Sequence, residues 1–183
     1  MKKYYFSDDN EGKDAVCDIK GSSFDVLLLT YLQYCTCFSL DIVCLSGSKL
    51  DSDSCPLQGF EMPGFPWEKY QSIWRYFEIH PVQENAVRLF YHFNNKTMSI
   101  LRTLFDSLFF MPKVQDAFTL ENLTFFRPDM TVFFCCETHE GDAFLFVKDK
   151  ENVNSLLIED TWKEVPISTI GFLHNVEMPW RDS

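Results

Sequence analysis

"MTVFFCCETHEGDAFLFVKDK", residues 130–150, is the stretch on which the fold turns. Met130 to Cys136 and Ala143 to Val147 are dense in β-branched and aromatic residues, the composition of a pleated, buried surface. "THEGD" between them supplies Gly141, a residue free to take the positive φ of a tight turn. The pattern predicts a β-hairpin. Along its first strand side chains alternate, with Met130, Val132, Phe134 and Cys136 on one face and Thr131, Phe133 and Cys135 on the other.

Downstream, "SLLIED", "WKEV" and "STIGFLH" read as further strands. Upstream the period changes to that of helices. Pro66 suits a first helical position, and Trp67, Tyr70, Trp74 and Phe77 follow at three-to-four spacing. A second helix opens at Pro81, with Val82, Ala86, Leu89 and Phe93 on one stripe. "NNK" interrupts, and Met98, Leu101, Phe105 and Leu108 form a third stripe. Near the start, "KKYYF" reads as a short strand and "SDDNEGKD" as an exposed loop. Ser22 or Ser23 caps a helix with body Val26 to Phe38, and "DIVCL" follows as a strand. Residues 46–66 lack periodicity and read as a long loop, of the kind that often carries function. The expected class is α+β: a helical N-terminal and middle part packed on a C-terminal antiparallel β-sheet. At 183 residues the chain is expected to form a single domain, 1–183.

The hairpin also holds the residues most suggestive of chemistry. Cys135 and Cys136 stand together, and His139 follows. On a strand the two thiols face opposite ways, so they do not chelate one ion, and structural zinc wants four ligands. No metal site and no cofactor is expected. A nucleophilic pair needs an exposed thiolate within reach of the imidazole. Cys136 shares its face with Met130, Val132 and Phe134, and His139 sits beside Glu140, so the plain reading is a buried thiol and a surface imidazole. Phosphate loops and nucleophile elbows are absent from the sequence.

The net charge is −11. That argues against nucleic acid, whose binders need a basic footprint, and against an anionic membrane surface. It suits a basic protein partner, steered in by the opposite field. Residues 1–65 carry net −5 and residues 121–165 net −6, with the middle near neutral, so the two flanks are able to form one acidic face if the fold brings them together. The seven cysteines lack CxxC spacing and most lie in apolar runs, which fits a reducing, cytoplasmic setting. "MKKYYFSDDNEG" reaches acids too soon for a signal peptide, and the apolar run Val26 to Leu40 contains Gln33 and is too short for a membrane span.

Two binding candidates emerge. "LQGFEMPGFPW", residues 57–67, offers Phe60 and Phe65 as apolar anchors. The acids Asp51 and Asp53, Glu140 and Asp142 of the hairpin, and Asp149 and Glu151 beyond it are candidate contacts for Lys or Arg on a partner. In size, acidity and lack of catalytic motif the chain resembles bacterial immunity proteins of contact-dependent growth inhibition and related toxin systems. "EGDAFLFVKDK" is similar to the Gly-Asp-aromatic hairpin of the SMI1/KNR4-like superfamily. The resemblance implies a protein, not an enzyme, that covers the active site of a basic toxin domain such as a nuclease with carboxylates. Two alternatives stand beside it: a cysteine-dependent enzyme using Cys136 or Cys135 with His139 or His174, and a component of a larger assembly docking through the aromatic loop. A homo-oligomer is compatible with any of these.

Overall fold

A computed structural model describes residues 1–7, 18–44, 55–62, 86–114, 117–139, 141–157 and 162–166. The elements are β1 (Lys2–Ser7), α1 (Ser22–Tyr34), β2 (Cys37–Cys44), β3 (Ala86–His92), α2 (Asn95–Leu104), β4 (Lys113–Val114), β5 (Phe118–Phe126), β6 (Val132–Glu137), β7 (Asp142–Val147) and β8 (Lys163–Val165). All eight strands join one sheet in the order β3-β2-β5-β6-β7-β1-β8, with β4 beside β5. Every pairing is antiparallel.

This corrects the expected architecture. The described residues are mostly antiparallel sheet with two short helices, not a helical N-terminal and middle part packed on a C-terminal sheet. The stripe at Ala86, Leu89 and Phe93 predicted a helix, yet the chain is extended from Ala86 to His92. The reason is long-range pairing. Leu89 and Tyr91 join the main core opposite Leu40 and Phe38 of β2, while Arg88 on the other face lies opposite Asp41. β3 is an edge strand, yet Leu89 and Tyr91 on one face and Arg88 and Phe90 on the other are all buried, so it carries no simple apolar–polar alternation. The expected helix from Pro66 lies outside the described residues.

Other expectations hold. The 130–150 hairpin forms, with Gly141 at φ 67° in its turn. "KKYYF" and "KEV" are strands β1 and β8. The helix expected from a Ser22 or Ser23 cap to Phe38 is present but shifted: Gly21 is its N-cap with no side-chain cap bond, it ends at Tyr34, and Cys37 and Phe38 already belong to β2. "NNK" is the start of α2: the Asn94 side chain accepts from Lys96 and Thr97 N–H, and Thr97 Oγ1 accepts from Asn94 N–H. The described part of "SLLIED", residues 155–157, is a turn rather than a strand.

The main core lies on one face of the sheet, under the helices. Tyr31 of α1 sets its ring 4.7 Å from Phe125, 5.5 Å from Phe133 and 4.9 Å from Phe134. Met98 and Leu101 of α2 join the same cluster. Phe133 reaches this face against simple alternation because the β5–β6 register shifts between Phe125 and Phe126. The second face holds Cys37, Phe90 and Phe126 toward one side and Cys135, Phe144 and Phe146 toward the other.

Candidate functional site

A row of buried polar groups crosses the second face between those two apolar clusters. Arg88 grips Asp41 bidentately, Nε to Oδ1 at 2.6 Å and Nη2 to Oδ2 at 2.7 Å. Asp41 Oδ2 also accepts from Asn122 Nδ2 at 2.8 Å. Asn122 sits at φ 55°, where the β2–β5 register slips between Ser39 and Asp41. This is a bulge with its left-handed position filled by asparagine, a residue that tolerates it. From there Asn122 and Thr138 bond reciprocally, Asn122 N–H to Thr138 Oγ1 at 2.8 Å and Thr138 N–H to Asn122 Oδ1 at 2.9 Å. The bulge thus pins the turn that follows β6, and His139, one residue on, lands against β5. Its Nε2 lies 2.9 Å from Glu121 Oε2. Lys3 is buried on the same face, its ammonium 4.5 Å from the centre of the Phe144 ring, and burial lowers its pKa.

The topology brings many strand ends together beside this region. β1 ends at Ser7, β2 at Cys44, and the β6–β7 turn lies between Glu137 and Asp142; β3 starts at Ala86, β5 at Phe118 and β8 at Lys163. The antiparallel registers put all of these at one end of the sheet, the hairpin end. The segments 8–17, 45–54, 63–85, 115–116, 140 and 158–161 therefore each join the sheet there. Those segments hold thirteen acidic and four basic residues, net −9. The described residues as a whole hold twelve acidic and eleven basic, net −1. The described framework is thus close to charge balance, and the excess acid belongs to chain segments outside it, each of which has one terminus at this end of the sheet.

The anticipated contact residues divide accordingly. Asp142 is at the hairpin end, half-buried, its Oδ1 accepting from the Tyr5 hydroxyl at 2.7 Å. Asp149 and Glu151 are at the opposite end of β7, a strand of roughly 20 Å, and so are not continuous with the hairpin acids. Asp149 is 89% exposed and meets the N-terminal amine at 3.1 Å. Glu151 is mostly buried in a clasp with Arg127: Nε to Oε1 at 2.5 Å, Nη2 to Oε2 at 2.8 Å, and Lys148 N–H to Oε2 at 2.7 Å. The hydrogen bonds from Arg127 and Lys148 hold its pKa below the usual range against the cost of burial. Phe60 folds back onto the main core, its N–H donating to Leu57 O and its carbonyl accepting from His92 N–H at 3.0 Å. Asp51, Asp53, Phe65 and Glu140 lie outside the described residues.

Nucleophilic chemistry at the double cysteine finds no support in the geometry. Burial raises the pKa of all six described thiols, Cys135 to about 12 and Cys136 further. Cys136 faces the main core while the His139 imidazole addresses Glu121. His174 lies outside the described residues. Among the described residues no three His, Cys, Asp or Glu side chains are grouped to hold a metal ion, and no helix is long and apolar enough to cross a membrane. Sequence reasoning missed the Asp41–Arg88–Asn122–Thr138 chain and the Glu121–His139 contact. Its one signal was charge inside apolar runs, Asp41 in "LDIVC" and Arg88 in "AVRLFY". No protein-family model, curated protein or solved structure matches this chain.

Proposed function

We propose that the protein is a binding module whose acidic hairpin end covers the basic surface of a protein partner, as an immunity protein covers the nucleic-acid cleft of a toxin nuclease. What supports this reading is a nearly charge-balanced described framework whose hairpin end is where segments carrying net −9 in the sequence leave or rejoin it. In the proposed arrangement the acids of those segments make a directed field. A field of that kind raises the rate of encounter with an opposite patch and disfavours like-charged partners. Carboxylates on tethered segments also suit a cleft lined for phosphates, because both present oxygen acceptors to Lys and Arg. The free thiols of the described cysteines fit a cytoplasmic setting, where a toxin entering the cell would be met.

The test is a pull-down from native lysate with tagged protein, at low and high salt. The expected result is one stoichiometric basic protein, held at low salt and released at high salt. A partner held equally at both, or an acidic one, would count against the proposal.

A further inference from the structure

We propose that Glu121, capped by His139, is a cation slot at the hairpin end that takes a guanidinium or ammonium side chain from the partner; this rests on the reading above and adds a specific anchor to it. The Glu121 side chain is 3% exposed. Oε1 accepts from the Thr119 hydroxyl at 2.6 Å. Among the described residues Oε2 accepts no hydrogen bond, and the His139 Nε2 lies 2.9 Å from it. A buried carboxylate normally draws a full set of donors, because an incompletely satisfied anion in a low-dielectric site is costly.

The neighbouring charges do not fill the gap. Asp41 is engaged by Arg88 and Asn122, and the Arg88 Nε and Nη2 hydrogen bonds both go to Asp41. Among the described residues the close contact to Oε2 is the His139 ring, which is 49% exposed. The ring is held over it by the backbone of Thr138, fixed in turn by the Asn122 bulge. On this proposal a side-chain rotation of His139 opens Glu121 without moving a strand. The planar fork of a guanidinium, with five donors, supplies the hydrogen bond that Oε2 lacks.

The experiment titrates methylguanidinium, methylammonium and donor-free tetramethylammonium into the full chain at constant ionic strength, following the backbone amide resonances of Thr119, Glu121 and Thr138. Saturable shifts with the first two, and none with the third, are expected. Glu121→Gln should weaken the probe by about tenfold or more, the loss of one charge-assisted pair. His139→Ala should strengthen it, because the cap is gone. Equal response to tetramethylammonium, no change in Glu121→Gln, or no gain in His139→Ala would each overturn the slot. Should Glu121→Gln fail to fold, His139→Ala, at a half-exposed position, decides alone. Free arginine binding a hundredfold tighter than methylguanidinium would overturn the assignment to a partner side chain, since the site would then read a whole amino acid. None of these arms uses the partner, so the slot can fail while salt-sensitive capture at the acidic end still succeeds.

Discussion

Glu151→Ala separates a structural acid from a contact acid. The Arg127 side chain is 5% exposed and the Glu151 side chain 10%. Arg127 also donates to Val132 O at 2.5 Å, to Thr131 Oγ1 at 3.3 Å and to Phe146 O, and its guanidinium lies 4.9 Å from the Phe133 ring centre. One guanidinium thus ties the end of β5 to the start of β6, the end of β7 and the turn after it. Removing Glu151 leaves that cation buried with carbonyls alone, and breaking such a pair costs about 3–5 kcal/mol. At this chain length that corresponds to a fall in Tm of roughly 6–20 °C. Urea unfolding monitored by circular dichroism gives the loss directly. The pH dependence carries the same signature. The folded-state pKa of Glu151 is depressed, so its stabilisation is present above the unfolded carboxyl pKa near 4.5 and fades as pH falls below it. The variant should lose less stability than the wild type across that acid range. A loss under about 1 kcal/mol at pH 7, the value of an exposed pair, would refute the clasp and return Glu151 to the surface.

Two further predictions follow from the polar row and the thiols. Asn122→Ala should destabilise by about 2–4 kcal/mol through left-handed strain and lost buried hydrogen bonds, and Asn122→Gly by less, because glycine keeps the φ; unfolding curves in which glycine costs more than alanine would contradict the bulge. The six described thiols should resist iodoacetamide in the native state, with half-buried Cys44 the first to react; rapid native alkylation of Cys135 or Cys136, mapped by peptide mass, would revive the enzyme reading.

What was legible in the sequence was local. The 130–150 hairpin needs only two apolar runs and Gly141 between them, and α2 was visible in its Met98–Leu101 stripe, though its Asn94 cap was not, and it ends at Leu104, before Phe105 and Leu108. β3 was hidden because Ala86, Leu89 and Phe93 satisfy a helical period, and nothing local outweighs it; the deciding partner is Asp41, 47 positions from Arg88. β5, "FTLENLTFF", was hidden because the Asn122 bulge breaks its alternation and its buried Glu121 and Asn122 look like surface residues. The acidic residues could be counted from the sequence. That Asp142 sits at one end of the sheet, and Asp149 and Glu151 at the other, is a property of strand order, which no local pattern encodes.

The most direct test of the acidic end is the association rate of the captured basic partner, measured at two ionic strengths for three proteins: wild type, a variant neutralised at Asp51, Asp53, Glu159 and Asp160, and a variant neutralised at Asp149. The account predicts slower association and a flatter salt dependence for the four-site variant, and wild-type behaviour for Asp149→Asn. Equal slowing by Asp149→Asn, or none by the four-site variant, would contradict it.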